Sequence, residues 1–286
     1  MNRPTTPGTT RPAARAAARH ATRLAARPGR RAARPAPIAA ATAATAALLV
    51  AALAALATPA HARQAAKSAG EPAPNTLTAE ERAAGWRLLF DGRTTAGWRG
   101  FKKESAPAGW AVEDGTLTRV APAGDLITVE TFADFELTLE WKVEPGGNSG
   151  IFFRVVEADD VAQTYESGPE MQVLDNARHP DGKSPLTSAG ANYALHAPIR
   201  DVSRPAGEWN QVRLVVDGAH VEHWLNGTKI VEYELWTEDW ERRVRESKFA
   251  QWPRYGRARE GHIAIQDHGD RVWFRNIKVR RLPPTP

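Results

Sequence analysis

The segment Phe135-Glu136-Leu137-Thr138-Leu139-Glu140-Trp141-Lys142-Val143 alternates apolar and polar residues over nine unbroken positions. A period of two commits a chain to a β-strand with one buried face, because successive side chains point to opposite sides. Shorter runs of the same kind recur at residues 212–216, 221–225, 263–265 and 272–279. Turn signals separate them, at Glu113-Asp114-Gly115, Pro145-Gly146-Gly147-Asn148, Asp217-Gly218 and Asn226-Gly227. Asn226-Gly227 is the strongest, since a two-residue hairpin needs positive φ at both central positions. Many short strands at this spacing predict an all-β fold, a two-sheet jelly-roll sandwich. One helix is expected among them, over residues 238–248, where Trp240 and Val244 follow helical spacing. No internal repeat is visible.

The first part of the chain has a different composition. Up to Arg34 it carries nine arginines and no acidic residue, and residues 38–57 are almost entirely Ala, Leu, Thr and Val. Ala60-His61-Ala62 follows as a small-x-small site. Together these read as a secretory leader over residues 1–62, cleaved near Ala62, with export to the periplasm, cell surface or medium. The rival reading is a retained anchor, since residues 38–57 could just span a bilayer. Losing nine positive charges turns the chain's +5 into −4 for the mature part, so the basic pI belongs to the leader. A nucleic-acid partner is set aside on that ground, and the mature form is expected to have no membrane partner. Cysteine is absent, which excludes disulfides and thiolate metal sites. Residues 63–84 read as a polar linker ending in a short helix with Thr78 as N-cap. The domain itself is expected over residues 85–282, long enough to bury a sizeable core.

Strand parity sorts the polar residues. Burying Ile151 and Phe153 turns Phe152 and Arg154 outward. Burying Met171 and Val173 leaves Glu170 and Gln172 together on the opposite face. Burying Ile263 and Ile265 does the same for His262, Gln266 and His268. A guanidinium, a carboxylate, two amides and imidazoles on one sheet face suit a polyhydroxylated ligand and supply groups for proton transfer. A solvated sheet face also shows Glu, Gln and Arg, so the pattern alone does not decide the matter. Parity places His223 in the core. Ten tryptophans lie beyond the leader, and Trp98, Trp110 and Trp252, in loop-like contexts, are candidates for stacking on sugar rings. Asp175 and His179, with Asp181, are weak candidates for a divalent cation.

An ordered set of short blocks then resembles a known family. Leu89-Phe90-Asp91-Gly92 with Gly97-Trp98, Trp110 to Gly115, and Asp134-Phe135-Glu136-Leu137 come first. Gly146-Gly147-Asn148-Ser149-Gly150-Ile151-Phe152 and Gly168-Pro169-Glu170-Met171-Gln172-Val173-Leu174-Asp175 follow. Gly207-Glu208-Trp209-Asn210, Glu222-His223-Trp224-Leu225-Asn226-Gly227, Gly261 to Gly269 and Trp273-Phe274-Arg275-Asn276-Ile277 complete the series. In this order they resemble the 3-keto-disaccharide hydrolase domain family over nearly the whole mature chain. The resemblance implies a concanavalin A-like jelly roll and a carbohydrate partner, a glycoside oxidised to a ketone at C3. One departure is Asn192, where a smaller residue is expected.

The resemblance also implies a chemistry. The ketone acidifies the C2 proton, a base removes it, the enolate expels the C1 oxygen, and water can add to the enone. His268 or Glu170 is then the base, and Arg154 stabilises the enolate, with room for a divalent metal ion as an optional cofactor. Gln172, Gln266, His262 and Asn148 hold hydroxyls, while Tyr193 and Lys248 serve as acid or ligand contacts. The alternative is a non-catalytic carbohydrate-binding module, because this architecture hosts both. Classical glycosidases use paired carboxylates, and Glu170 has no evident carboxylate partner on a neighbouring strand. An adhesion role finds no support in repeats or tandem domains.

Overall fold

The computed structural model describes residues 72–283. The leader over residues 1–62, the stretch 38–57 and the first part of the linker lie outside the described residues. Two antiparallel sheets pack face to face as a jelly-roll sandwich. The larger runs β11 (Thr228–Glu234), β10 (His220–Leu225), β9 (Asn210–Asp217), β6 (Phe135–Val143), β13 (Val272–Arg281), β4 (Thr116–Arg119) and β3 (Trp110–Glu113), with β1 (Arg87–Leu88) beside β13. The smaller runs β2 (Trp98–Gly100), β5 (Leu126–Thr128), β12 (His262–Ile265), β7 (Asn148–Val155) and β8 (Glu170–Leu174). Phe135, Leu137, Leu139, Trp141 and Val143 of β6 are buried between the sheets, as their alternation requires. Ile151, Phe153, Met171, Val173, Ile263 and Ile265 face them from the smaller sheet. Asn226 (φ 49°) and Gly227 (φ 79°) close the β10–β11 hairpin in the left-handed region.

Two helices are described. In α1 (Ala79–Ala83), Thr78 and Glu81 form a reciprocal capping box. The expected second helix is α2 (Glu238–Glu246), capped by Thr237, and a 3-10 turn at Lys248–Gln251 follows it. Trp240 and Val244 are its buried face. Parallel aromatic stacking then holds the turn down. Phe249 stacks on Tyr255 at 3.8 Å, Trp240 lies 6.1 Å from Tyr255, Tyr233 lies 5.6 Å from Trp240, and His196 caps the column 4.6 Å from Tyr233.

Trp98 and Trp110 are core residues rather than sugar platforms. Their loop-like sequence context hides two short strands, and their indole N–H groups donate to the Leu89 and Gly124 carbonyls. Trp252 stays half-buried, in edge contact with Tyr165 at 5.2 Å. His223 is fully buried, with Nδ1 3.0 Å from the Gly190 carbonyl.

Candidate active site

Glu170 and Gln172 lie on the face of β8 turned away from the core, and β7 runs beside them with Phe152 opposite Glu170 and Gly150 opposite Gln172. Glycine at 150 has a steric reason. A Cβ there would sit 2.2 Å from Glu170 Oε1, so the carboxylate folds over the space that a side chain would fill. The segment after the Pro185–Thr187 turn docks on the free edge of β8. Gly190 N–H donates to Gln172 O at 2.8 Å, and Gln172 N–H to Ala191 O at 3.0 Å. Tyr193 N–H donates to Glu170 O at 3.1 Å, which carries the Tyr193 ring over the same face.

Lys248, at the start of the turn after α2, sets its ammonium 4.2 Å from the centre of the Tyr193 ring. The result is a cavity of about 150 Å³, the space of roughly one sugar ring. Glu170, Lys248, Tyr193, Asp181, Asn148, Gln266 and His268 line it. Gln172 and Tyr165 complete it. Asn192, packed behind Tyr193, is fully buried, and its amide lies 2.9 Å from His196 Nδ1. The neighbouring imidazole meets the amide nitrogen where a smaller residue is expected, and the amide oxygen is buried without a partner among the described residues. Burial first, then Arg243, lowers the His196 pKa to about 4, so at neutral pH its ring nitrogen is free to accept.

The electrostatics centre on Glu170, which is only 5% exposed. Burial raises its pKa to about 8; Lys248 opposes the rise, and Asp125 and Asp181 add to it. Burial also pulls the Lys248 ammonium below its ordinary value, against the attraction of Glu170 and Asp181. Burial and then Asp181 push the Tyr193 phenol up, and Tyr193 Oη donates to Asp181 Oδ2 at 3.1 Å. A carboxyl raised to about 8 inside a cavity can exchange protons with a ligand near neutral pH.

Of the residues singled out from the sequence, Glu170, Gln172, Gln266, His268, Asn148, Tyr193 and Lys248 come together here. Gln172 is partly engaged already, its Nε2 donating to Thr187 O at 3.3 Å. Arg154 does not line the cavity. Phe152 pairs with Ala264 but Val155 with His262, so β7 holds one extra residue, and Arg154 takes φ 52° at that bulge. Parity breaks there. Arg154 is 2% exposed, donates to Ala133 O and Asp134, and stacks 5.5 Å from Trp236. Phe152 faces outward as expected but is covered, packing with Ile127, Val155 and Ala264 under Phe101 and Tyr165. His262 also lies outside the cavity, its Nδ1 2.7 Å from the Thr128 carbonyl.

Asp175 and His179 do not offer a cation site. The Asp175 carboxylate accepts from the backbone N–H groups of Gly146 and Ala177. His179 Nδ1 accepts from Asp181 N–H, and its Nε2 lies 3.4 Å from the Asn148 amide. The described residues bring three His, Asp or Glu ligand atoms together only at His220, Glu222 and Glu232, where Lys229 Nζ already sits 3.1 and 2.8 Å from the two carboxylates. Among the described residues, the cavity does not bring three His, Asp or Glu ligand atoms within reach of one ion. The second carboxylate that the strands lack comes instead from the 3-10 turn Pro180–Lys183, which carries Asp181. Tyr165, on the turn Thr164–Glu166, had no local signal in the sequence.

A family model of the 3-keto-alpha-glucoside-1,2-lyase-like domain matches residues 85–280. The chain is 39% identical over 230 residues to a 3-keto-disaccharide hydrolase of Bacteroides thetaiotaomicron, with 70% of this chain and 79% of that protein covered. A crystal structure of a candidate glycosyl hydrolase from Parabacteroides distasonis matches with a TM-score of 0.69 at 34% identity, covering 74% of this chain and 100% of that one. A second from the same organism matches with a TM-score of 0.55 at 26% identity, covering 69% and 99%.

Proposed function

This chain belongs to the 3-keto-alpha-glucoside-1,2-lyase-like domain family, and on that premise we propose that it is an exported glycoside-acting enzyme that cleaves 3-keto-glycosides by elimination. One observation carries the reading: a carboxyl with a pKa of about 8 is sealed into a sugar-sized cavity beside a partly buried ammonium. Glu170 in its ionised form takes the proton from C2, leaving an enolate. Lys248, the cation of this cavity, stabilises the enolate oxygen in the role expected of Arg154. The enolate then reforms its carbonyl, the C1–O bond breaks, and His268 gives a proton to the departing oxygen. The product is an enone. Water adding OH to C1 and H to C2 returns a 3-keto sugar, so elimination plus hydration equals hydrolysis. Gln266 and Asn148 hold ring hydroxyls, and Tyr193, tied to Asp181, walls the site. The extracytoplasmic setting rests on residues 1–62 alone.

The test is turnover of a 3-keto-disaccharide beside its unoxidised parent, following enone absorbance and released sugar. Cleavage of the keto sugar alone is expected, with the acid limb of kcat/KM rising through about pH 8 as the Glu170 base ionises. Lys248→Met should move that limb to higher pH, since Lys248 opposes the rise in the Glu170 pKa. Glu170→Gln should lower kcat by about 10²–10⁴-fold. Full turnover in Glu170→Gln removes Glu170 from the chemistry. Saturable glycan binding with no cleavage of either sugar replaces the enzyme by a binding module.

A further inference from the structure

Two walls of the cavity come from segments with no regular structure of their own. Tyr165 sits on a single 3-10 turn, and His268 follows the end of β12. Both segments meet one side chain. Asp125, the residue before β5, accepts from Asp267 N–H through Oδ1 at 2.9 Å and from the Thr164 hydroxyl through Oδ2. Asp267 and Thr164 are the immediate neighbours of His268 and Tyr165. Asp125 is itself fixed: Phe101 N–H donates to its carbonyl at 2.9 Å, and β5 pairs with β12 and β2 on either side. The Asp267 carboxylate holds the same segment from its other side, accepting from Arg119 Nε at 2.7 Å and from the backbone N–H groups of Ala123 and Gly124.

We propose that Asp125 is a positioning residue of this site, a bridge from the sheet that sets the Tyr165 and His268 walls at their working separation. The geometry is that of a two-point tie. One carboxylate oxygen is spent on each segment, so loss of the side chain removes one tie from both at once. Its charge has a second consequence, because Asp125 is among the groups that keep the Glu170 carboxyl protonated. The proposal rests on the reading of the cavity as an active site, and it concerns Asp125 alone.

Two variants separate the parts. Asp125→Ala removes both hydrogen bonds. Asp125→Asn keeps an oxygen for Asp267 N–H, and its amide can donate to the Thr164 hydroxyl, but it removes the charge. The first measurement is hydrogen exchange of peptides covering residues 162–168 and 266–270 in the full domain, which needs no turnover. Both peptides should exchange faster in Asp125→Ala and at wild-type rates in Asp125→Asn. Unchanged exchange in Asp125→Ala overturns the proposal, whatever the enzyme does.

The second measurement is the pH–rate profile on a 3-keto-disaccharide. Asp125→Ala should lose about tenfold or more in kcat/KM, the scale of a sub-ångström to ångström misplacement. Asp125→Asn should recover most of that loss, with its acid limb moved to lower pH. Equal losses in the two variants with an unmoved profile also overturn the proposal. Wild-type protein that leaves the keto sugar intact overturns the enzymatic reading instead, and the exchange data still decide whether Asp125 ties the two segments.

Discussion

The two sheets each turn a face away from the shared core, and the faces handle charge in opposite ways. On the larger sheet a trough of about 300 Å³ is lined by Thr138, Glu140, Gln211, Arg213, Trp224 and Lys278, twice the volume of the cavity over the smaller sheet. Its charges are matched. Glu140 pairs with Arg275 at 2.6 Å, Lys278 with Glu81 at 2.6 Å, and Arg213 with Glu136. Its tryptophan, Trp224, is covered as well, by Arg213 at 5.0 Å. Over the smaller sheet Glu170 is buried with Lys248 near it but without an ion pair at contact distance among the described residues. Charges that pair at contact distance and keep some exposure lower each other's energy by little. A buried carboxyl held off its ordinary pKa remains available to a ligand. Volume is the poorer guide to the site.

After loss of the carboxylate itself, the largest effect that sharpens this contrast follows from Gly150. In Gly150→Ala the three atoms nearest the new methyl all belong to the Glu170 side chain, from Oε1 at 2.2 Å to Cγ at 3.1 Å, so the fold should survive while the carboxylate moves. A displacement of about an ångström at a catalytic group costs up to about 10²-fold, and kcat/KM on the 3-keto-disaccharide should fall by about 10–100-fold with an unchanged far-UV spectrum. Wild-type kcat/KM in this variant would show that the carboxylate need not lie over Gly150.

Much of this contrast is readable before folding, and the part that is not has physical causes. Alternation with period two specifies the core face of β6, and it also specifies which side of β8 carries Glu170 and Gln172, because a regular strand has no other option. The same rule fails at Arg154 because one extra residue in β7 resets the alternation, and nothing in Phe152-Phe153-Arg154-Val155 announces the bulge. Asp181 was singled out only as a cation ligand, and Tyr165 and Asp125 were beyond reach for another reason. Their turns are placed by contacts with residues far along the chain, such as Asp125 with Asp267, and local pattern carries no information about those contacts. The family blocks pointed to a keto-sugar site without locating these residues.

A second, smaller effect concerns stability. A carboxyl whose folded pKa lies above its unfolded value holds its proton more tightly in the folded state. The stability it contributes is complete below the unfolded value near 4.5 and is lost as pH rises through about 8. Glu170→Gln cannot ionise and escapes that loss. Its Tm should match wild type near pH 4 and exceed it by several degrees at pH 9, measured by calorimetry at fixed ionic strength, with roughly 2–4 °C for each kcal/mol in a domain of this size. An equal Tm at pH 9 would mean that Glu170 ionises in the fold as easily as in water, and the contrast between the two faces would lose its basis.

The smallest effect belongs to the same substitution on the other face. Glu140→Gln keeps the shape of the side chain and can still accept from Asn276 Nδ2, giving up the charge opposite Arg275. Both partners are partly open to solvent, so the ion pair contributes about 0–1 kcal/mol, and Tm should fall by no more than a few degrees. Turnover should stay within about twofold of wild type, since no proton moves on that face in the proposed reaction. The paired substitutions thus ask one question of two glutamates, one matched by an arginine and one buried without such a match. A loss in Glu140→Gln as deep as that in Glu170→Gln would transfer the chemistry to the larger trough, because a matched surface charge has no other route to so large an effect on turnover.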